Sequence, residues 1–240
     1  MGRPPKAQHQ PFTTSEALCE DISRESNGVA VLAFSCGKDA IGSWLQMRRY
    51  FTRIVPVHLY LIPNLQFVED SLAYFEDFFQ TPVYRLPHPS LYRWINAAMW
   101  QPSERVQSIA SANLPSFGFP EVWRVVREDF GLDDSVLTGV GVRSADSIVR
   151  RTSIMQHGPV NRRKGEFFPV FDWNKARLLR ELQDSGVRLP VDYQWFGRSF
   201  DGVDARFLAP LKEHAPEDFD RVLEWIPLAD IDIFRRVVMQ

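Results

Sequence analysis

Cysteine is nearly missing from this chain: Cys19 and Cys36 are the only two in 240 residues. They form no Cys-x-x-Cys pair, which excludes a zinc ribbon or an iron–sulfur cluster built from this chain alone. A charge excess is also missing. Twenty-eight Lys and Arg face thirty Asp and Glu, for a formal net charge of −2. No global field therefore favours nucleic acid or an anionic membrane. No apolar run approaches the length of a membrane span. The start, Met1-Gly2-Arg3-Pro4-Pro5-Lys6, is polar with no apolar region behind it. That reads against a signal peptide, and Lys6 stands where myristoylation prefers Ser or Thr. The expected location is the cytoplasm, with no membrane partner. Internal repeats and low-complexity tracts are absent too.

What is present suffices for a core: 45% of the residues are hydrophobic and 13% aromatic. The length suits one α/β domain with an extension. The most informative stretch runs from Ala30 to Ala40, where an apolar segment ends in Ser35-Cys36-Gly37-Lys38-Asp39 and a helical pattern follows. A strand, a tight polar turn and a helix start aim backbone N–H groups and the positive end of a helix dipole at one point, which suits an anion. Gly37 lets the backbone come close to that anion. Lys38 adds a full charge, Ser35 a hydroxyl, and Asp39 falls in the first helical turn. The pattern is not the Walker loop, because Leu32 stands where that loop needs its first Gly and Asp39 follows Lys38. Cys36 lies inside the turn, where a lowered thiol pKa is one reading and a small filling residue the simpler one.

Further along, residues 1–11 read as a flexible arm, and a short helix from Thr14-Ser15 to about Ser26 precedes a strand over Val29–Phe34. A helix over Ile41–Phe51, a strand over Arg53–Leu61, a helix over Val68–Phe79 and a strand over Thr81–Leu86 follow. Leu91–Trp100 is read as helical, and the prolines up to Pro120 as a long connection. A helix over Val122–Phe130 leads to a buried strand over Val136–Val142. Such alternation predicts a Rossmann-like parallel sheet with helices on both faces, with ligands at the carboxyl ends of its strands.

The segment Gly139-Val140-Gly141-Val142-Arg143-Ser144-Ala145-Asp146-Ser147-Ile148-Val149-Arg150 leaves that last strand. Its arginines offer planar forks for phosphate or sulfate oxygens, while Arg150 and Asp146 also stand at ion-pair spacing on a helix. From Arg143 to Arg180 nine basic residues face three acidic ones. Arg162-Arg163-Lys164 is the densest part, read as a solvated turn with facing the phosphates as the alternative.

Ser35-Cys36-Gly37-Lys38-Asp39-Ala40 resembles the Ser-Gly-Gly-Lys-Asp-Ser loop of the PP-loop ATP pyrophosphatases, a superfamily that includes the phosphoadenylyl-sulfate (PAPS) reductases. Gly141, Arg143, Ser147 and Arg150 match the Gly-x-Arg-x-x-Glu-Ser-x-x-Arg segment of the reductases and their relatives, with Asp146 in place of Glu. Phe168-Pro169-Val170-Phe171-Asp172-Trp173 is similar to the family's Pro-(Ile/Leu)-x-(Asp/Glu)-Trp segment, and Trp173 is read as core. The resemblance divides the chain into an N-terminal arm and short helix (residues 1–27), a nucleotide-binding domain (28–195) and a mostly helical extension (196–240). It implies a bound adenine nucleotide, ATP or PAPS, with Mg²⁺. It implies phosphate binding by Ser35, Cys36, Gly37, Lys38, Asp39, Gly141, Arg143, Ser147 and Arg150, with catalytic roles for Lys38, Asp39 and Arg143 and a metal-binding role for Asp39.

Two departures matter. The reductases carry a catalytic Cys near the C-terminus, and none follows Cys36 here. Ile62-Pro63-Asn64 stands where the family often has Asp-Thr-Gly. Three functions remain: splitting ATP between its α- and β-phosphates to adenylate an acceptor, sulfonucleotide binding or reduction, and a non-catalytic nucleotide-binding regulator or inhibitor. The acceptor is left open, nucleic acid through residues 143–180 among the options, and so is a homo-oligomer. In the tail, Asp201, Asp204 and Arg206 are read first as a structural turn of Asp–Arg pairs, with metal or substrate binding as the alternative.

Overall fold

A computed structural model describes residues 12–238; the arm read at residues 1–11 lies outside them. The chain begins with α1 (Ser15–Glu25), capped by the Thr14 hydroxyl, which accepts from the Ala17 N–H. There follow β1 (Val29–Ala33), α2 (Lys38–Met47), β2 (Arg53–Tyr60), α3 (Gln66–Phe79), β3 (Tyr84–Pro87), α4 (Pro89–Asn96), α5 (Ser103–Ala112), α6 (Phe119–Phe130) and β4 (Thr138–Gly139). After a single 3-10 turn at Ser144–Asp146 come α7 (Ile148–His157), β5 (Val160–Asn161), β6 (Glu166–Phe167) and α8 (Lys175–Ser185). The C-terminal part is helical: α9 (Asp192–Phe196), α10 (Ala205–His214), α11 (Pro216–Trp225) and α12 (Ile231–Val238).

The fold is Rossmann-like. Six strands form one sheet in the order β3-β2-β1-β4-β6-β5, parallel except for the β5–β6 pair. The chain moves outward from β1 to β2 to β3, then returns to place β4 on the other side of β1. That reversal makes the carboxyl ends of β1 and β4 the switch point of the sheet, where a crevice opens because the connections leave in opposite directions.

Alternation along β1 divides the core in two. Ala30 and Leu32 join Leu18, Ile22, Ile41, Trp44, Phe75, Trp173 and Leu178 on the face covered by α1, α2, α3 and α8. Val31 joins Val55, Val57, Val122, Trp123 and Val126 on the face covered by α6. Aromatic contacts fasten the first face: Phe34 meets Trp44 edge-on with centroids 4.8 Å apart, and Trp44 stacks on Phe79 at 4.0 Å. Trp173 is fully buried, as the sequence suggests, and the Arg177 guanidinium lies over its ring at 4.8 Å.

Several elements differ from the sequence reading. Residues 103–112, taken for part of a long connection, form α5, which buries none of its side chains and so shows no apolar stripe strong enough to notice. The strand expected over 136–142 pairs only at Thr138 and Gly139. Arg162-Arg163-Lys164 forms the tip of an antiparallel hairpin whose strands are two residues each, too short to leave a period in the sequence. The extension expected to be mostly helical is broken into separate helices, one break falling where Pro216 starts α11.

The tail is fastened to the sheet by a third core. Ile62, Leu65, Phe67 and Leu91 pack with Val203, Leu208, Leu211, Phe219 and Val222. Asp218, buried on α11, accepts hydrogen bonds from the N–H groups of Gln66 and Phe67 at 2.6 and 3.0 Å. These are first-turn amides of α3, so a carboxylate from the tail caps a helix of the sheet domain. Asp218→Ala should lower stability by about 1.5–3 kcal/mol, the usual worth of hydrogen bonds to a charged group. Asp220→Ala, at an exposed position two residues on, should change it by less than about 0.5 kcal/mol. Urea denaturation of the two variants checks the difference, and equal midpoints would show that the tail does not depend on this cap.

Candidate phosphate-binding site

The turn between β1 and α2 lies at the switch point. Gly37 is the N-cap of α2 and makes no side-chain cap bond, so the first amides of the helix are left for other partners. The Lys38 N–H donates to the Tyr193 hydroxyl at 2.9 Å. The N–H groups of Ser35, Cys36 and Asp39 have no acceptor among the described residues. A cleft of about 700 Å³ opens in front of them, within the usual size of a small-ligand site. Ser35, Gly37, Lys38 and Asp39 line it from the turn, and Val57, Leu59, Phe119 and Trp123 give it an apolar wall. Its basic groups come from four parts of the chain: Lys38, Arg150, Lys164 and Arg198.

The structure thus brings Ser35, Gly37, Lys38, Asp39, Gly141 and Arg150 to one cleft. The remaining expected site residues stand elsewhere. Ser147 is the N-cap of α7, its hydroxyl accepting from the Arg150 N–H. Arg143 is buried at 5% exposure beneath the turn, where its Nε donates to Asp39 Oδ1 at 2.7 Å and a terminal nitrogen lies 2.6 Å from Asp146 Oδ1. Asp146 also pairs with Arg150 at 2.7 Å, the helix-spaced pair anticipated from the sequence. In the tail, Asp204 caps α10 and pairs with Arg206, as the structural reading expects, while Asp201 pairs with Arg198 at the cleft.

Cys36 sits at φ +58°, in the left-handed region that a glycine would take without strain. The thiol is 4% exposed. Burial, with the nearby Asp192 carboxylate, pushes it well above the ordinary thiol range, so the lowered pKa considered from the sequence is not found. Cys19 is buried on α1, also with a raised pKa, first from burial. Neither is placed as a nucleophile.

Asp39 is the expected metal ligand, and its surroundings bear on that role. One oxygen is taken by Arg143, and the other lies 3.9 Å from Lys38 Nζ. Among the described residues no three His, Cys, Asp or Glu side chains converge on a point. The protein groups present do not fit a resident metal ion.

Residues that the sequence did not single out for the site are Tyr193, Ser199 and His88. Tyr193 takes the Lys38 amide. Ser199 lies over the turn, its Oγ 3.3 Å from where a Cβ on Gly37 would stand. His88 borders the cleft and caps α4 by accepting the Ser90 N–H on Nδ1. A polar residue just past a strand end, at His88, was the one available signal.

No protein-family model matches the chain, and no curated protein matches it in sequence. Among solved structures it is similar to a predicted subunit of a tRNA methyltransferase from Methanocaldococcus jannaschii. The two are 15% identical over 79% of this chain and 91% of that chain, with a TM-score of 0.34. Likeness at that level leaves the site to be read from its own geometry. Among the described residues no helix is long and apolar enough to cross a membrane.

Two outcomes test this geometry. A Cβ on Gly141 would come within 2.8 Å of the Asp39 carbonyl carbon and 2.9 Å of the Ala40 nitrogen, both backbone atoms that cannot swing aside. Gly141→Ala should therefore cost about 1–3 kcal/mol of stability and disturb the turn; chemical-shift changes at Ser35–Ala40 would report it, and an unshifted turn would contradict the close approach.

His58, buried behind the turn, donates Nδ1–H to the Phe34 carbonyl at 3.0 Å. Burial lowers its pKa to about 4, so the unfolded chain binds the extra proton first as pH falls. Its contribution is fully present above pH ~6.5 and is lost on descending toward pH 4. The loss should reach about 3 kcal/mol. His58→Gln should flatten the stability profile in that window, measured by urea denaturation against pH; an unchanged slope would assign the pH dependence to other groups.

Proposed function

We propose that the cleft binds the polyphosphate of an adenine nucleotide and that the protein splits ATP between its α- and β-phosphates, transferring the adenylyl group to an acceptor. The observation that carries this reading is the turn Ser35–Asp39 at the switch point, with open amides and an uncapped helix start facing a cleft lined by Lys38, Arg150, Lys164 and Arg198. Preorganised N–H groups and fixed cations stabilise charge where it develops, here on the departing pyrophosphate. The acceptor itself attacks the α-phosphorus as the bond to the bridging oxygen breaks, so no protein nucleophile is needed. Mg²⁺ enters with the nucleotide as part of the substrate, consistent with its preference for phosphate oxygens and water over many protein ligands. The apolar wall at Val57, Leu59, Phe119 and Trp123 suits a base.

Sulfonucleotide reduction is disfavoured by the chemistry of the two thiols. It needs a thiolate attacking sulfur, and both cysteines are buried with raised pKa. The non-catalytic reading draws support from the Tyr193 hydroxyl, which already occupies the Lys38 amide.

Incubation with ATP, Mg²⁺ and an acceptor should yield pyrophosphate and the adenylylated acceptor, with AMP only where that product is then hydrolysed. Lys38→Ala should weaken ATP binding by about 1.5–3 kcal/mol, the worth of a charge-assisted bond. PAPS with thioredoxin and its reductase should release no sulfite. Equal ATP affinity in wild type and variant by calorimetry would remove Lys38 from the site, and sulfite lost on Cys36→Ser would replace adenylation with reduction. ATP bound tightly but never split, across a broad set of acceptors, would favour the regulator.

A further inference from the structure

Two compartments, not one, lie beside the end of β2. Val57 borders the phosphate cleft alone, whereas His58, Tyr60, Leu61 and Ile62 border only a second pocket of about 210 Å³ behind the turn. Ser35, Leu59, His88 and Asp201 line both, so the two spaces meet at the phosphate-binding turn. The second pocket lies between the start of α3, the start of α4 and the tail, with Phe67, Trp94 and Phe200 among its apolar walls.

The electrostatics of the two compartments are opposite. The cleft has four basic residues, while no Lys or Arg lines the second pocket among the described residues. Its polar side chains mostly have partners: His58 is held by the Phe34 carbonyl, His88 by the Ser90 N–H and Asp201 by Arg198. Asp192 is the exception. It is 5% exposed, its Oδ2 accepts from the Phe200 N–H at 2.9 Å, and its Oδ1 has no hydrogen-bond partner. It is the one residue bordering this pocket with such an orphaned buried atom among the described residues. A buried carboxylate oxygen left unmatched costs stability, and a ligand that supplies a donor recovers that cost. Burial pushes the Asp192 carboxyl up, as expected where no cation stands beside it.

We propose that this pocket binds a small molecule with an apolar body and an amino group, which pairs with the Asp192 carboxylate at the pocket wall, next to the nucleotide and not in its place. Naming that molecule the acceptor rests on the adenylation reading; its binding does not. The pocket's volume suits a single ring or a short branched chain. Its lack of cations selects against carboxylates and phosphates, which the neighbouring cleft attracts.

The probe is 4-fluorobenzylamine, followed by fluorine NMR with the full chain, beside 4-fluorobenzyl alcohol and 4-fluorobenzoate as neutral and anionic isosteres. The amine should bind at least about tenfold more tightly than the benzoate, and saturating ATP should not displace it. Asp192→Asn should weaken it about tenfold or more. Ser71→Leu, which fills the pocket from α3 and leaves Asp192 in place, should abolish binding, with circular dichroism showing both variants folded. The proposal is overturned by equal binding of amine and benzoate, by amine binding that survives Ser71→Leu, by displacement with ATP, or by no amine binding at millimolar concentration. ATP affinity measured on the same samples keeps the two readings apart: loss of ATP binding with amine binding intact overturns the nucleotide reading alone.

Discussion

A single buried guanidinium joins the two halves of the candidate site. Arg143 leaves β4 and turns under the α2 start, where Asp39 and Asp146 hold it from two sides. Asp146 in turn holds Arg150, which borders the cleft. One connected set of ion pairs thus fixes the turn after β1, the 3-10 turn after β4 and the start of α7 relative to one another. Removing one member of a buried pair leaves the other charge uncompensated, which typically costs 3–5 kcal/mol, whereas the intact pair adds little net stability. The arrangement is better understood as positioning than as stabilisation. It sets where the amides of the β1–α2 turn and the Arg150 guanidinium stand.

The same strut accounts for the glycine beside it. Gly141 comes within side-chain distance of the Asp39 and Ala40 backbone, so β4 and the start of α2 touch without room for a Cβ. That approach lets Arg143, two residues on, reach Asp39 across the switch point. The topology requires it: β4 lies directly beside β1, and the segments leaving both strands must share the space above the sheet.

The fold was legible because its main signals are local and periodic. Val29–Ala33 and Arg53–Tyr60 are β-branched and apolar, and the helices that cover them carry clear stripes, so element order and the position of Ser35–Asp39 followed from pattern alone. Residues 103–112 escaped because α5 buries nothing, and the β5–β6 hairpin because two-residue strands have no period. Of the candidate site, the turn at Gly37 and Lys38 was legible from the strand-turn-helix pattern, and Gly141 entered only through the resemblance. The site was not legible where a side chain could serve either a ligand or another residue. Arg143 reads as a phosphate fork in sequence, yet Asp39 and Asp146 take up its donors. Tyr193 carries no motif, and only the fold brings it 2.9 Å from the Lys38 amide, 155 positions earlier.

Tyr193 also gives the tail a place in the chemistry. Burial pushes its phenol up, so it remains protonated and neutral. Its oxygen accepts the Lys38 N–H, a hydrogen bond that a phosphate oxygen would also seek. Ser199 stands over Gly37, and Arg198 and Asp201 pair at the cleft. On the nucleotide reading proposed above, an incoming polyphosphate would compete with groups of the tail for the same amide and the same guanidinium. Two of those competitions favour the ligand: a phosphate oxygen carries more charge than a phenol, and it offers Arg198 a partner of higher charge than Asp201. Asp218, Val203 and Leu208 anchor the tail to α3 and its surroundings, and Trp195, Phe196 and Phe200 of the segment at the cleft pack against the same core. The same segment carries Asp192 and Phe200, which border the second pocket. A shift at Ser199 on phosphate binding would thus be felt at the Phe200 amide that Asp192 Oδ2 accepts, coupling the two compartments through a single hydrogen bond.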